Sequence, residues 1–338
     1  MTRNQIAIRL MVPRDVSIDL RHSSSDLGSL LSTGALRESG ALPAGSLSQS
    51  RKPLTHKRYP LCKPMTVCTA ALGDLGKSLV LACDSMLSIP DASGDRVAFK
   101  LYPLTDRYQW WVMIAADDVT HIVPIIEAAV LGMLNLTDET NTRENVERIF
   151  VAAYQKIRLR YAEDLILSPL GVTFDQFIDS AEWQARFTED LLAVNLGCEF
   201  LVAGFDWNGD GYIFSVEHPG IVRNHNVTGY ASIGVGAYSA VSMLLHHSVN
   251  YEMELARVLY HVCEAKFMAE SAPGVGKHTV VKIATSTGRM DAYEASTELI
   301  GGIRTAWERE GKPRVPSGFV EHLRNTLKRH PSISNGGD

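Results

Sequence analysis

Apolar residues in this chain gather in short unbroken runs, and the spaces between the runs are filled by turn residues. Residues 67–72, 78–83 and 110–116 are such runs. A run of this length, rich in small and β-branched residues, predicts a strand buried on both faces. Residues 198–205 and 211–216 read as a hairpin, 231–234 as a short strand and 278–284 as a closing strand. Between them the pattern changes period. Residues 118–134, 143–161, 238–246 and 253–268 place apolar side chains at helical spacing, and Asn141-Thr142-Arg143-Glu144 supplies a helix start. Strands at both ends with helix pairs between them predict an α+β fold.

Three segments differ from this body. Residues 1–64 hold no sustained period, carry Ser23-Ser24-Ser25 and end in the basic Arg51-Lys52-Pro53 and Lys57-Arg58. That composition predicts disorder. It fits a propeptide, a mis-assigned start with Met65 as the true initiator, or a genuine extension. An organelle-transit reading of its Arg/Ser bias is weaker. Residues 163–196 read as an insertion with a helical piece at 183–192. The tail 300–338 is mixed, with a basic helix predicted at 320–327. The domain body is therefore 65–299.

Composition narrows the function classes. Of 338 residues 45% are hydrophobic and 21% charged, with a formal net charge of −5. That fits a soluble globular protein, gives no basic footprint for nucleic acid and contains no apolar stretch near the ~20 residues of a membrane span. The five cysteines, Cys62, Cys68, Cys83, Cys198 and Cys263, lie mostly in apolar runs without zinc spacing. They read as reduced core residues of a cytoplasmic protein, and no cofactor or metal is expected.

The candidate chemistry begins at Thr66, which heads the first predicted strand. A threonine attacks an amide only if a base takes its proton. When it is the first residue of a mature chain, its own α-amine can serve. That amine's ordinary pKa of about 7.7–8.0 suits a general base. Asp84 follows at the end of the second strand in Ala82-Cys83-Asp84-Ser85. Lys100 follows sixteen residues later, in Phe99-Lys100-Leu101-Tyr102-Pro103-Leu104.

In order and spacing these residues resemble the proteasome β-type group of N-terminal-nucleophile hydrolases. The opening Met65-Thr66-Val67-Cys68 is most similar to bacterial proteasome-like proteins of the ancestral-beta-subunit type. The resemblance covers roughly residues 65–295. It implies a four-layer α/β/β/α sandwich, with two antiparallel sheets between helical layers. It also implies a threonine-type peptidase acting on peptide or protein substrates, and a homo-oligomer in the form of a ring or spiral. An unfoldase partner is left open. Carried over residue by residue, it makes Thr66 the nucleophile, with Asp84 and Lys100 tuning it. Ala116, in Ile114-Ala115-Ala116-Asp117-Asp118, becomes an oxyanion N–H donor in place of the family's glycine. Glu270 stands for a supporting acid, and Leu87, Ser88, Ala98 and Ile114 line the specificity pocket.

Two departures stand out. The family's G-S-G becomes Gly234-Val235-Gly236, and proline falls at the serine in Glu270-Ser271-Ala272-Pro273-Gly274-Val275-Gly276. Valine cannot relay a proton, and Ser271 substitutes only in part. A catalytically inactive, proteasome-like scaffold or binding subunit is therefore the alternative reading.

Other motifs carry less. Asp206-Trp207-Asn208-Gly209-Asp210-Gly211 with Glu217 matches a calcium loop, but its flanks read as strands, and the same residues suit a hairpin turn. Gly73-Asp74-Leu75-Gly76-Lys77-Ser78 imitates a phosphate loop, but a strand follows it where a helix is needed. His246, His247 and His261 have no acid or cysteine paired to them at ligand spacing and read as core or surface histidines.

Overall fold

The computed structural model describes residues 66–89, 92–96, 98–116, 119–286, 291–312 and 319–328. The expected leader 1–64, Asp117, Asp118 and the chain end beyond 328 lie outside the described residues.

In chain order the strands and helices begin with β1 (Cys68–Gly73), β2 (Ser78–Asp84), β3 (Leu87–Ile89), β4 (Ala92–Gly94), β5 (Leu101–Pro103) and β6 (Trp110–Ala116). Two helices follow, α1 (Ile122–Met133) and α2 (Arg143–Ala162), then α3 (Phe174–Ile178) and α4 (Ala181–Ala193). The second half holds β7 (Cys198–Phe205), β8 (Gly211–Glu217), β9 (Ile221–Asn224), β10 (Tyr230–Ile233), α5 (Ala237–His246) and α6 (Leu255–Ala269). It ends with β11 (Thr279–Thr285), β12 (Asp291–Glu294), α7 (Thr297–Ala306) and α8 (Phe319–Lys328).

The strands form two five-stranded sheets, ordered β10-β1-β2-β11-β12 and β5-β6-β7-β8-β9, with β3 and β4 as a separate pair. Every pairing among the described residues is antiparallel. The protein is thus a mixed α+β fold built on two antiparallel sheets.

The unbroken apolar runs have a simple cause: each central strand serves two cores. Along β1 and β2, Cys68, Ala70, Leu72, Leu79, Leu81 and Cys83 enter one core, while Ala71, Val80 and Ala82 enter another. The first core also holds Trp111, Met113, Leu201 and Ile213 from the other sheet, so the two sheets face each other across it. The second core holds Val258, Val262 and Phe267 of α6 with Ala240 and Leu244 of α5. On the far side Trp110, Val112, Phe200 and Phe214 pack against Ile125, Ala129, Val146 and Phe150 of α1 and α2. With both faces covered, polar alternation is not needed.

Several starts and turns follow local chemistry. Thr142 caps α2 by accepting from the Asn145 N–H, as its sequence predicts. Residues 163–193 carry their own small core of Leu167, Val172 and Phe177 under Trp183 and Phe187. The calcium-like segment is the hairpin between β7 and β8. Asp206 Oδ1 accepts from the Asn208 and Asp210 N–H groups, and Gly209 takes φ +74°. The phosphate-loop imitation is likewise the β1–β2 connection. No helix among the described residues is long and apolar enough to cross a membrane.

Trp110 lies opposite Gly204 in the β6–β7 ladder. A Cβ at Gly204 would meet the Gln109 carbonyl oxygen at 2.3 Å and the Trp110 ring at 2.6 Å. Gly204→Ala should therefore destabilise the fold by about 1–3 kcal/mol or more. Gly301, inside α7, meets nothing within 4 Å. Gly301→Ala should stabilise by about 0.4–1 kcal/mol. Urea unfolding of both variants checks the pair, and equal effects at the two positions would contradict the packing described.

Candidate active site

Thr66 stands immediately before β1 and is only 2% exposed. Its backbone is pinned by the loop after β10. The Gly236 N–H donates to the Thr66 carbonyl at 3.1 Å. Gly234 adopts φ +88°, and a Cβ there would fall 2.4 Å from that same oxygen. Only glycine allows both the conformation and the approach.

Asp84 ends β2 with its side chain fully buried. Three donors meet each of its oxygens. Oδ1 accepts from Thr66 Oγ1 at 2.5 Å, the Val67 N–H at 3.0 Å and Lys100 Nζ at 3.0 Å. Oδ2 accepts from the Met86 N–H at 3.1 Å, the Gly276 N–H at 3.1 Å and Lys100 Nζ at 3.0 Å. Lys100 Nζ also donates to Thr66 Oγ1 at 2.5 Å. Its backbone is fixed by the Ile114 N–H, which donates to the Lys100 carbonyl at 3.0 Å. The three residues singled out by the sequence resemblance thus meet at one point. The threonine hydroxyl donates to the carboxylate and accepts from the ammonium. Of the two, the ammonium is the group that stabilises negative charge growing on that oxygen, and the carboxylate holds the ammonium in place.

The cysteines beneath the site are structural. Cys68 and Cys83 face each other across β1 and β2, and the Cys68 thiol donates to the Ile114 carbonyl at 3.4 Å. Burial, and next the hydrogen bond to Cys83, push the Cys68 thiol well above its usual range. Cys263, on α6, is pushed up to about 12 by burial.

The remaining sequence-predicted residues are distributed as follows. Ile114 is buried on β6, Ala98 is half-buried with its N–H on the Ser85 carbonyl, and Leu87 is 36% exposed on β3. Ser88 lies in β3, and its side chain is outside the described residues. Ala116 ends β6 opposite Cys198. Glu270 does not bond to the Thr66 group. It takes Lys266 Nζ at 2.6 Å and Arg304 of α7 at 2.5 and 2.9 Å. Ser271 donates to the Met268 carbonyl at 2.8 Å, closing the end of α6. Val235 packs into the apolar core.

Sequence reasoning missed the link between Glu270 and the site. Lys266 is 0% exposed, and its Nζ donates to the Gly276 carbonyl at 2.8 Å. Gly276 in turn donates its N–H to Asp84. Burial pushes the Lys266 ammonium down from its ordinary range, and Glu270 opposes that shift. The i,i+4 spacing of Lys266 and Glu270 was a readable signal. A second missed contact, Ser85 Oγ to His278 Nδ1 at 2.7 Å, had none, because it joins positions 193 residues apart. His278 opens onto a cavity lined by Asp95, Arg96, Lys277, Ile300 and Arg304, and Leu87, Ala98 and Ile114 are not in that lining.

Removing one side of the buried pair should be asymmetric. Asp84→Ala leaves the Lys100 ammonium, 11% exposed, without its counter-charge, and should cost about 3–5 kcal/mol. Lys100→Met leaves Asp84 still accepting from three backbone N–H groups and the Thr66 hydroxyl, and should cost clearly less. Chemical denaturation of both variants tests this, and the reverse order would show that Lys100, not Asp84, is the structural centre.

The chain was also compared with models of known protein families and with curated proteins. It matches no family model and no curated protein.

Proposed function

We propose that this protein is a proteasome-like threonine-type peptidase or amidase of the N-terminal-nucleophile class, with Thr66 as nucleophile once the chain begins there. The observation that carries this reading is Thr66 Oγ1, held at 2.5 Å from both Asp84 Oδ1 and Lys100 Nζ. Two facing antiparallel sheets with helices on their outer faces support the four-layer sandwich of that class.

In this mechanism Thr66 Oγ1 attacks the carbonyl carbon of a peptide or protein substrate. Its proton passes to the Thr66 α-amine and then to the leaving amine as the amide C–N bond breaks. Lys100, charge-compensated by Asp84, stabilises the developing alkoxide, and the Ala116 N–H serves the oxyanion. Water then hydrolyses the acyl-threonine ester and restores the hydroxyl. The apolar Leu87, Ala98 and Ile114 suit an apolar side chain before the scissile bond, because a dry pocket penalises an unpaired charge.

One specific observation favours the silent-scaffold alternative. Val235 and Pro273 replace hydroxyl-bearing residues of the family pattern, and Ser271 spends its hydroxyl at the end of α6. Activity of the protein trimmed to Thr66 separates the two. The enzyme reading expects hydrolysis of matched peptides, faster after Leu than after Arg or Glu, and labelling at Thr66 by threonine-directed electrophiles. Thr66→Ala should abolish both, and Lys100→Ala should cost at least ~10²-fold. A trimmed, folded protein that is never labelled at Thr66 would sink the enzyme reading.

The same reading makes the protein a cytoplasmic homo-oligomer, ring or spiral. The stripe Ile122, Ile125, Ala129 and Met133 of α1 packs inward, whereas Val119 (60%), Val123 (49%), Leu131 (59%) and Leu134 (55%) stand exposed on and beside that helix. An apolar face of this kind supports a self-contact. Light scattering should report an assembly at micromolar concentration, and Leu131→Glu should reduce it towards single chains. A wild-type protein that stays monomeric would reject assembly and the enclosed chamber with it.

A further inference from the structure

We propose that His247, His261 and Glu264 form a binding site for a divalent transition-metal ion of the zinc type, on the outer helix pair. This inference is independent of the hydrolase reading, since none of the three residues belongs to the Thr66 group. It departs from the expectation that these histidines are ordinary core or surface residues without an acid beside them.

The geometry is that of a converging ligand set. His261 and Glu264 lie three residues apart on α6, one turn of a rigid helix. His247 is the cap residue immediately after α5. His247 Nε2 and His261 Nδ1 each lie 3.1 Å from the same oxygen, Glu264 Oε2. All three ligand atoms fall within 4.8 Å of one another. Zinc bonds of about 2.0–2.2 Å put neighbouring ligands of a tetrahedral site roughly 3.3 Å apart, close to the two 3.1 Å spacings to Glu264 Oε2. The two imidazoles stack, with ring centroids 4.4 Å apart and planes 24° from parallel.

The burial of the acid is the second part of the argument. Glu264 is only 2% exposed. The segment after α7 covers its other oxygen: a Cβ on Gly311 would lie 3.5 Å from Glu264 Oε1 and 2.5 Å from the Tyr260 hydroxyl. A carboxylate taken out of water needs a compensating charge or several donors. Each imidazole brings one nitrogen to Oε2, and a divalent cation placed among the three would bind all of them at once and supply charge directly. The histidine side chains are 31% and 18% exposed, which leaves an entry path and room for a water or a further ligand in a fourth position. Two imidazole nitrogens with one carboxylate suit Zn²⁺, Co²⁺ or Ni²⁺ rather than Ca²⁺ or Mg²⁺, which prefer all-oxygen shells. A bound ion would clamp the end of α5 to the middle of α6, the pair that covers the outer face of the β1–β2 sheet.

The test uses the full chain, stripped with a chelator and titrated with zinc chloride alone. About one equivalent should bind saturably at this site, and Tm should rise with zinc concentration, as mass action requires. The Co²⁺ form should show visible d–d absorption of a low-symmetry N/O site. His247→Gln, at a partly exposed helix end, and Glu264→Gln, which keeps side-chain shape, should each weaken zinc binding at least ~10-fold and abolish the Tm rise. Circular dichroism of the metal-free proteins should be unchanged. A folded wild-type chain with no saturable uptake of Zn²⁺, Co²⁺ or Ni²⁺ would overturn the proposal and leave a hydrogen-bonded imidazole–carboxylate cluster only. So would two folded variants that bind zinc as tightly as the wild type.

Discussion

The buried Asp84 carboxylate is the interaction on which the rest of the candidate site depends. It lies at 0% exposure and satisfies its charge with three donors on each oxygen. These donors come from the chain before β1, the turn after β2, the segment before β5 and the segment before β11. One side chain therefore ties four separate pieces of the sequence together. A buried charge tolerates little slack, because each lost partner leaves a desolvated group uncompensated. The position of Thr66 Oγ1 follows from that constraint.

The two sheets are the frame that makes the constraint enforceable. Each central strand feeds one core with its odd positions and another with its even positions, so a one-residue slip would exchange whole sets of side chains. Close backbone approaches sharpen the fit. Gly234 lies against the Thr66 carbonyl, and Gly276 reaches Asp84 while its own carbonyl takes Lys266. Behind this contact, Glu270 and Arg304 complete a chain of charges that runs from α7 to the site. Arg304 also lies over the Phe267 ring at 3.9 Å, which anchors that chain in the core beneath α7. Glu270 thus supports the site at a distance, through Lys266 and Gly276, rather than by touching the threonine.

Much of this was legible in the sequence. The run 110–116 is β6 residue for residue, 143–161 falls one residue short of α2, and 198–205 is β7. The strand and helix runs are local, and the information for them lies within a few residues. Thr66, Asp84 and Lys100 were chosen because their order and spacing resemble a family pattern; strand and turn geometry by itself does not single them out. The short strands β3, β4, β5, β9 and β12 were not legible, since three or four residues carry too little periodicity and exist as strands through their partners. Helix α7 crosses the expected boundary at 299, and it is fixed by the Ser296 cap and by packing on α6.

What the sequence determined by itself was the alternation of buried strands and amphipathic helices, because side-chain period and turn chemistry are properties of neighbouring residues. What only the tertiary structure decided was which distant groups meet. Ser85 reaches His278 across 193 positions, Asp84 takes the Gly276 N–H across 192, and Glu264 receives His247 from another helix. The physical reason is that hydrogen bonds and ligand geometry act over about 3 Å, a distance that the folded chain sets and the order of residues along it does not.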